Sequence, residues 1–481
     1  MRRTYVRPGA VATPEELTAA FEAVLADVDA VEEFPAAAQA EAVRAAETPH
    51  GEGVDLTDLN FVTLDPAGAM DLDQAMCLQR TGTGFTVRYA IADVPAFVTP
   101  GGPLDVATRE RGQTLYLPHR RVPLHPAVLS EGAASLLPGQ LRPALVWTIE
   151  VDETGVTTST RLERAQVRSR ARYDYAAVQA SFDAGTPPDD LALLEPLGKL
   201  LVAAEAERGG AGLKIPNQEI EPLPGGGYAL IYRPLVGVEE WNAQISLLTG
   251  RAAADLMLAG GIGILRTMPE PDQATVDTLR RQSAALGVPW PTEEPYQHWL
   301  RTLDPTKPRE LALCHEAAAL FRGAGYTAFH GEPPEEARQA AVADEYAHVT
   351  APLRRLVDRF GLATCLALSA GEPVPPWVVD ALPALPDLMR ASDQKASRIE
   401  HACLDLAEAA VLATRVGDYF DGVIVDVRGG STPPEPLRGK VQLHDPAVLA
   451  PVTGPLVLGD QVSVRLDEAD LASRTIRFSV A

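Results

Sequence analysis

The stretch Asp55–Met76, DLTDLNFVTLDPAGAMDLDQAM, decides how this chain is read. NFVTL (60–64) is β-branched and aromatic and runs into Pro66 and Gly68, so it predicts a strand that ends in a tight loop. Asp65 closes that strand, and Asp71 and Asp73 follow the loop two positions apart. On an extended backbone side chains alternate, which sends Asp71 and Asp73 to the same side. Three carboxylates facing one point repel one another unless a cation lies between them, and hard divalent ions such as Mg²⁺ take oxygen ligands of this kind. Two such ions about 4 Å apart can activate a water and stabilise a leaving oxygen in phosphodiester cleavage. The plain alternative is a solvated, Asp-rich turn. A calcium EF-hand is excluded, because Ala75 follows and the required glycine and terminal glutamate are absent.

Either side of this stretch the pattern is mixed. FTVRYAIADV (85–94) and ALVWTIEVD (144–152) predict strands, as does the less pronounced GYALIYR (227–233). EEWNAQISLLTGRAAADLMLA (239–259) and QKASRIEHACLDLAEAAVLATRV (394–416) carry helical spacing. DYFDGVIVDVRG, KVQLHD, DQVSVRLDEAD and TIRFSV are short strands between Gly, Pro and Asp turns. They predict a small β-barrel over 415–481, with Pro433, Pro434 and Pro436 in a loop between strands. At the front, Thr13 caps a helix over 13–34, Pro14 takes its first position and Glu16 completes a capping box. Leu17, Phe21, Val24, Leu25, Val28 and Val31 recur at helical spacing. Pro35 opens a second, Ala-rich helix that runs to about Thr48, and PHGEG (49–53) breaks it. The fold class is α+β: a helical module over 1–52 (a helix-turn-helix or a plain helical hairpin), a mixed α+β domain over 53–400, and the barrel.

The 481 residues allow two or more domains, and 46% hydrophobic residues is ordinary for a globular chain. No run of about 18 apolar residues exists, and MRRTYVRPGA has no apolar core, so neither a membrane span nor a secretory signal is expected. Cys77, Cys314, Cys365 and Cys403 are scattered, which argues against a zinc site or disulfide framework and fits a reducing cytoplasm. A net charge of −23 counts against a polyanionic partner. Yet HRR (119–121) and RSRAR (168–172) are local basic clusters. Charges beyond about 10 Å are screened at moderate salt, so a basic channel can lie inside an acidic exterior.

The opening stretch, followed by YAIADVPAFV, LYLPHRRVPLHP, LSEGAASLLPGQLRPAL and, much later, VTAPLRRLVDRFG, resembles the catalytic RNB domain of the ribonuclease II family, over roughly 54–400. The C-terminal barrel resembles its S-one type OB-fold. The resemblance implies a processive 3′→5′ exoribonuclease that degrades single-stranded RNA with Mg²⁺ (or Mn²⁺) and releases nucleoside 5′-monophosphates. It implies no small-molecule cofactor and no membrane, and the expected state is a cytoplasmic monomer. Asp65, Asp71 and Asp73 match the family's first metal-binding aspartates, and Asp73 and Arg354 are the expected catalytic residues. Tyr116 matches a tyrosine that stacks on the terminal base. Stacking reads no base edge and contributes roughly 1–3 kcal/mol per base. Arg354 matches an arginine that holds the scissile phosphate; Pro352 suits a first helical position, which would put Arg354 in the first turn. Arg355, His119 and Arg120 are expected to add RNA contacts. Glu239 matches an acid that contacts ribose, with Glu240 or simple helix capping as rivals.

The chain also departs from the pattern. Gln74 stands where the family has a fourth aspartate, so only three carboxylates face two Mg²⁺ ions. Gln74 is expected to offer its carbonyl oxygen, the second metal to be weakly held without RNA, and Asp93 to be a helper. Ala351 replaces a serine, and GAGLKIPNQEIE (210–221) lacks the second aromatic that would clamp the terminal base. The family carries two cold-shock barrels in front, each on the order of 70 residues; helices over 1–52 hold neither. A less enclosed RNA path should let the enzyme trim close to a structured stem. The alternative is a catalytically impaired RNA-binding protein of the same fold. A DNA-binding regulator is disfavoured, because 13–48 contains one arginine, Arg44, and no lysine.

Overall fold

A computed structural model describes residues 4–5, 14–48, 50, 53–213, 215–222, 228–233, 235–428, 437–443 and 445–480. Its central sheet grows from the opening stretch. Strand β1 (Phe61–Asp65) is followed by β2 (Gln74–Thr81) and β3 (Gly84–Ala92). A small hairpin, β4 (Leu115–Tyr116) and β5 (Arg121–Val122), stands outside the sheet. The sheet resumes with β6 (Leu141–Val151) and β7 (Thr157–Asp174). Strands β2, β3 and β6 are antiparallel neighbours, whereas β1 runs parallel to the end of β7, with Asp65 opposite Asp174. The first part of β7 pairs with β6, so the sheet closes on itself.

Strand β7 was hidden in the sequence by its charge. Arg168, Arg170 and Arg172 recur at period two, and Ala165, Val167 and Ser169 on the alternate positions are buried, which is strand alternation written in arginine. Strand β3 is covered on both faces. Val87, Tyr89 and Ile91 join Trp147, Ile149 and Ile245, the last from helix α4 (Gly237–Gly260), while Ala90 and Ala92 join Phe61, Leu72 and Val146. Each fully buried Ile or Val here is worth ~1.5–3 kcal/mol relative to exposure.

At the front, helix α1 spans Pro14–Ala26 and α2 spans Ala36–Glu47. Thr13 lies outside the described residues. The expected helix to residue 34 stops early: Asp29 sits at φ 50, a conformation Asp tolerates but a helix does not, and Val31 is 68% exposed. The two helices dock on different parts of the α+β domain. Leu17, Phe21 and Val24 of α1 are buried with Leu115, Leu117 and Val122 of the hairpin and with Ile399 and Cys403. Ala42 of α2 joins the Phe61 cluster, and Glu41 accepts from the backbone of Leu104 at 3.0 Å.

Three further helices position the site: α3 (Tyr175–Asp183), α5 (Leu356–Ala370) and α6 (Leu385–Leu412). Helix α6 begins nine positions before the expected 394, with Pro386 in its first turn. It leads into a closed five-stranded barrel of β8 (Tyr419–Arg428), β9 (Leu437–Leu443), β10 (Leu449–Gly454), β11 (Gln461–Asp470) and β12 (Thr475–Val480). Strand β10 was missed because Pro451 makes its short run read as a turn. Pro433, Pro434 and Pro436 lie outside the described residues. Phe420, Ile424, Val441, Leu466 and Phe478 fill the barrel, and Ala407 and Leu412 of α6 seal its end. The fold is α+β, as expected. Among the described residues no helix is long and apolar enough to cross a membrane, and all four cysteines are buried.

Candidate active site

The acids line the wall between β1 and β2. Asp65 ends β1, and Asp71 and Asp73 lie in the irregular link before β2. Ser135 pins that link: its hydroxyl donates to the Met70 carbonyl at 2.6 Å and accepts from the Leu72 N–H at 3.0 Å. Leu72 points into the Phe61 cluster, which leaves its two aspartate neighbours on the other side.

The three carboxylates have different surroundings. Asp71 Oδ1 accepts from Arg121 Nη1 at 2.7 Å, and the other arm of Arg121 reaches Glu131 at 2.8 Å. Asp73 is buried; its Oδ1 accepts from the Leu353 N–H at 2.7 Å, and its Oδ2 lies 3.9 Å from Arg354 Nε. Asp65 Oδ2 is buried and has no hydrogen-bond partner. Burial, with the charge of Asp71 second, pushes the Asp65 carboxyl up to about 7. Burial likewise raises Asp71 and, well above its ordinary range, Asp73. An unpaired buried carboxylate oxygen is costly, so this wall is short of positive charge.

The segment bearing Arg354 is fixed from several sides. Gln74 Nε2 donates to the Thr350 carbonyl, the Ala351 N–H donates to Asp358 at 2.7 Å, and the Thr114 N–H donates to the Arg354 carbonyl at 2.9 Å. His125 Nδ1 donates to the Leu353 carbonyl at 3.1 Å, and burial pushes its imidazole down to about 3, which keeps it neutral. Gln74 thus does something an aspartate cannot: a carboxylate has no hydrogen to give Thr350. Ala351 is buried against this scaffold.

Arg354 does not lie in a first helical turn. Helix α5 starts at Leu356 with Arg355 as its N-cap, so Arg354 sits in the turn before it, 49% exposed. Arg355, not Arg354, pairs with Asp358, at 2.9 and 2.7 Å, and is thereby tied to structure. Tyr116 is 51% exposed. It lines a cleft of about 360 Å³ with Gln113, Thr114, Arg354, Arg355 and Glu400. A larger cleft of about 580 Å³ lies between Asn60, Cys77 and Tyr173 and holds none of the three acids.

Other expected contacts are committed elsewhere. His119 and Arg120 bind Glu22 of α1 at 2.6 Å, and Arg120 also binds Glu32 at 2.8 Å. Of the HRR cluster only Arg121 faces the acids, because it pairs across the hairpin with Tyr116 and so shares its face. That parity was readable from the hairpin. Both carboxylate oxygens of Glu239 accept from Arg233 Nη1, at 2.8 and 2.9 Å, and its Oε2 caps α4 by accepting from the Val236 N–H at 3.0 Å, so the capping alternative is the one the structure displays. Asp93 is no helper: it is buried against Arg164 at 2.5 Å. Within 210–221, Gln218 reaches Glu408 and Glu219 reaches Arg233. Sequence reading missed Tyr175, the first residue of α3. Its hydroxyl accepts from Asn242 at 3.0 Å, and burial and the charge of Asp65 push its phenol up to about 12.

A divalent ion fits the chemistry of the donor set, with Asp65 Oδ2 unpaired and Asp71 and Asp73 each keeping one oxygen outside the hydrogen bonds named above. Among the described residues no group of three or more His, Cys, Asp or Glu side chains is placed to hold a metal ion by itself. Mg²⁺ commonly uses one or two carboxylates and completes its shell with water and substrate phosphate.

The acid wall thus lies beside an arginine and an exposed tyrosine, on a sheet followed by a closed five-stranded barrel. Residues 54–360 match the RNB domain, and residues 418–481 match the RNase II-type exonuclease C-terminal S1 domain. The chain belongs to the RNase II/R-type exoribonuclease family. It is 35% identical to Exoribonuclease 2 of Vibrio parahaemolyticus over 150 residues, 30% of this chain and 22% of that protein. It is 28% identical to the exosome complex exonuclease RRP44 homolog A of Arabidopsis thaliana over 358 residues, 69% of this chain and 37% of that one. The matches thus span well under half of these relatives. In fold it is similar to the apo form of Mycoplasma genitalium RNase R, with TM-score 0.84 at 18% identity over 98% of this chain and 79% of that one. It is also similar to yeast Ssd1, a pseudonuclease, with TM-score 0.70 at 15% identity over 95% and 58%.

Proposed function

We propose that the protein is a 3′→5′ exoribonuclease that hydrolyses single-stranded RNA to nucleoside 5′-monophosphates. The observation that carries this reading is the convergence of Asp65, Asp71 and Asp73 with Arg354 beside the exposed ring of Tyr116. Tyr116 stacks on the terminal base without reading its edge, which makes digestion tolerant of sequence. Arg354, held in place by its backbone, grips the non-bridging oxygens of the scissile phosphate. Asp65, Asp71 and Asp73 are the residues that would hold Mg²⁺ or Mn²⁺, which when bound activates water and neutralises the leaving 3′-oxygen. Arg121 orients Asp71, and Leu353 orients Asp73.

The residues ahead of β1 include two helices laid on the catalytic unit, so we also propose trimming to near the foot of a stem. A run-off assay on a hairpin with a 3′ tail tests that: short remnants are expected, and stalling many nucleotides from the stem contradicts it. The main test is labelled oligo(A) with Mg²⁺, with an EDTA control. Metal-dependent release of adenosine 5′-monophosphate from the 3′ end is expected. The second reading, an impaired RNA binder, draws on Gln74, whose amide is committed to Thr350. Oligo(A) bound but left intact at saturating Mg²⁺ decides for it.

A further inference from the structure

Strands β4 and β5 are two residues each, too short to be stable alone. Yet this hairpin presents Tyr116 and, directly opposite it, Arg121 on Asp71. What holds it comes largely from α1. Leu115, Leu117 and Val122 are buried against Leu17, Phe21 and Val24. At the tip, Glu22 accepts from Arg120 Nε at 2.6 Å, from Arg120 Nη2 at 2.7 Å and from His119 Nε2 at 2.6 Å. The ring of Phe21 lies parallel to that of His119, 6.1 Å between centroids. Glu32, just beyond α1, takes the remaining arm of Arg120 at 2.8 Å. The bond from Arg120 holds the Glu22 carboxyl down at about 2, so the clamp stays charged across the working pH range.

We propose that Glu22 is a positioning residue: α1 is a strut that sets the angle of the hairpin and thereby the stacking face of Tyr116 and the reach of Arg121 to Asp71. Glu22 touches neither residue. It grips the turn that joins their two strands, so a tilt at the tip moves both together. The inference rests on the reading of Tyr116 as the base-stacking residue.

The test is a double-mutant cycle on the full chain with a short oligo(A), where each contact weighs most. The variants are Glu22→Ala, Glu22→Asp, Tyr116→Ala and the pair Glu22→Ala with Tyr116→Ala, and kcat and KM are read for each. Glu22→Ala is expected to raise KM about fivefold with kcat little changed, as lost ground-state positioning does. Glu22→Asp, which keeps the charge, recovers part of that. With Tyr116 already removed, Glu22→Ala should raise KM clearly less than it does in the parent, because only the Arg121–Asp71 contact is left to aim. Melting temperatures are recorded for every variant. Equal, multiplying effects in both backgrounds overturn the inference and leave α1 as stabilising packing only. If Tyr116→Ala alone leaves KM unchanged, the stacking reading falls and takes this inference with it.

Discussion

Two charged clusters flank one hairpin and differ in a single respect. At the tip, Glu22 and Glu32 are matched by Arg120 and His119, and the short bonds close among themselves. On the side of Tyr116 and Arg121, Asp65, Asp71 and Asp73 outnumber what reaches them, and one oxygen of Asp65 is buried without a partner. Both clusters are acids and bases brought together by the fold. The balanced one is structure; in the function proposed above, the unbalanced one takes its missing charge from a bound ion. The same contrast separates two adjacent arginines. Arg355 is bound on both sides to Asp358, whereas Arg354 is half exposed and approaches Asp73 only at 3.9 Å.

The sharpest way to break the comparison is Asp73→Asn. The amide keeps an oxygen for the Leu353 N–H but loses the charge. Cleavage of oligo(A) should fall by more than about 10³-fold, comparable to losing a metal's electrostatic contribution, while RNA binding measured by filter retention is largely kept. Cleavage and binding both intact would mean that the unbalanced wall is not the reacting centre.

Next comes the arginine pair. Arg354→Ala should lower kcat about 10²-fold or more with little change in melting temperature, because its side chain is half exposed and approaches its one buried partner, Asp73, only at 3.9 Å. Arg355→Ala should do the reverse in kind: breaking a buried pair strands Asp358 and costs about 3–5 kcal/mol of stability, read by thermal or denaturant unfolding. If the two swap phenotypes, matched and unmatched charge do not sort structure from function here.

Tyr116→Ala, a smaller change, should raise KM for short oligonucleotides roughly tenfold, with Tyr116→Phe near the parent, since stacking uses the ring and not the hydroxyl. Steady-state kinetics on oligo(A) and oligo(U) read this, and similar losses on both are expected.

The sequence carried the acid wall, Tyr116 and Arg354, because strand alternation and a run of ordered motifs are local properties. It did not carry which of His119, Arg120 and Arg121 faces the acids. Glu22, which claims the first two, is about a hundred positions away, and only the hairpin's pairing decides the third. Nor could it show that the Gln74 amide anchors Thr350, a contact spanning 276 positions, or that Asp93 serves Arg164. The long strand β7 was overlooked because its exposed positions are arginines and threonines. Its period-two signal was present, in Ala165, Val167 and Ser169, but small residues gave it little hydrophobic weight.

Burial alone does not make an acid functional, and Glu408 shows why. It lies on α6 where the barrel seals, and burial pushes it up to about 7 from an ordinary 4.5, much as at Asp65. But its Oε1 accepts from Gln218 at 2.6 Å and from the Leu449 N–H at 2.9 Å, so it wants hydrogen bonds and no cation. The sign of its linkage follows. The unfolded chain releases this proton near pH 4.5 and the folded chain only near pH 7, so stability is lost as pH rises through that window and stays lost above it. Glu408→Gln keeps Oε1 as the acceptor and removes the charge. Its melting temperature should match the parent's at pH 4.5 and exceed it by about 2–4 °C at pH 8, with oligo(A) cleavage unaffected. The net charge of the chain changes by one, too little to produce such a pH-dependent gap at moderate salt. A variant that is less stable at both pH values would show that Glu408 is ionised and balanced in the folded protein, and the line drawn between satisfied and unsatisfied acids would have to be moved.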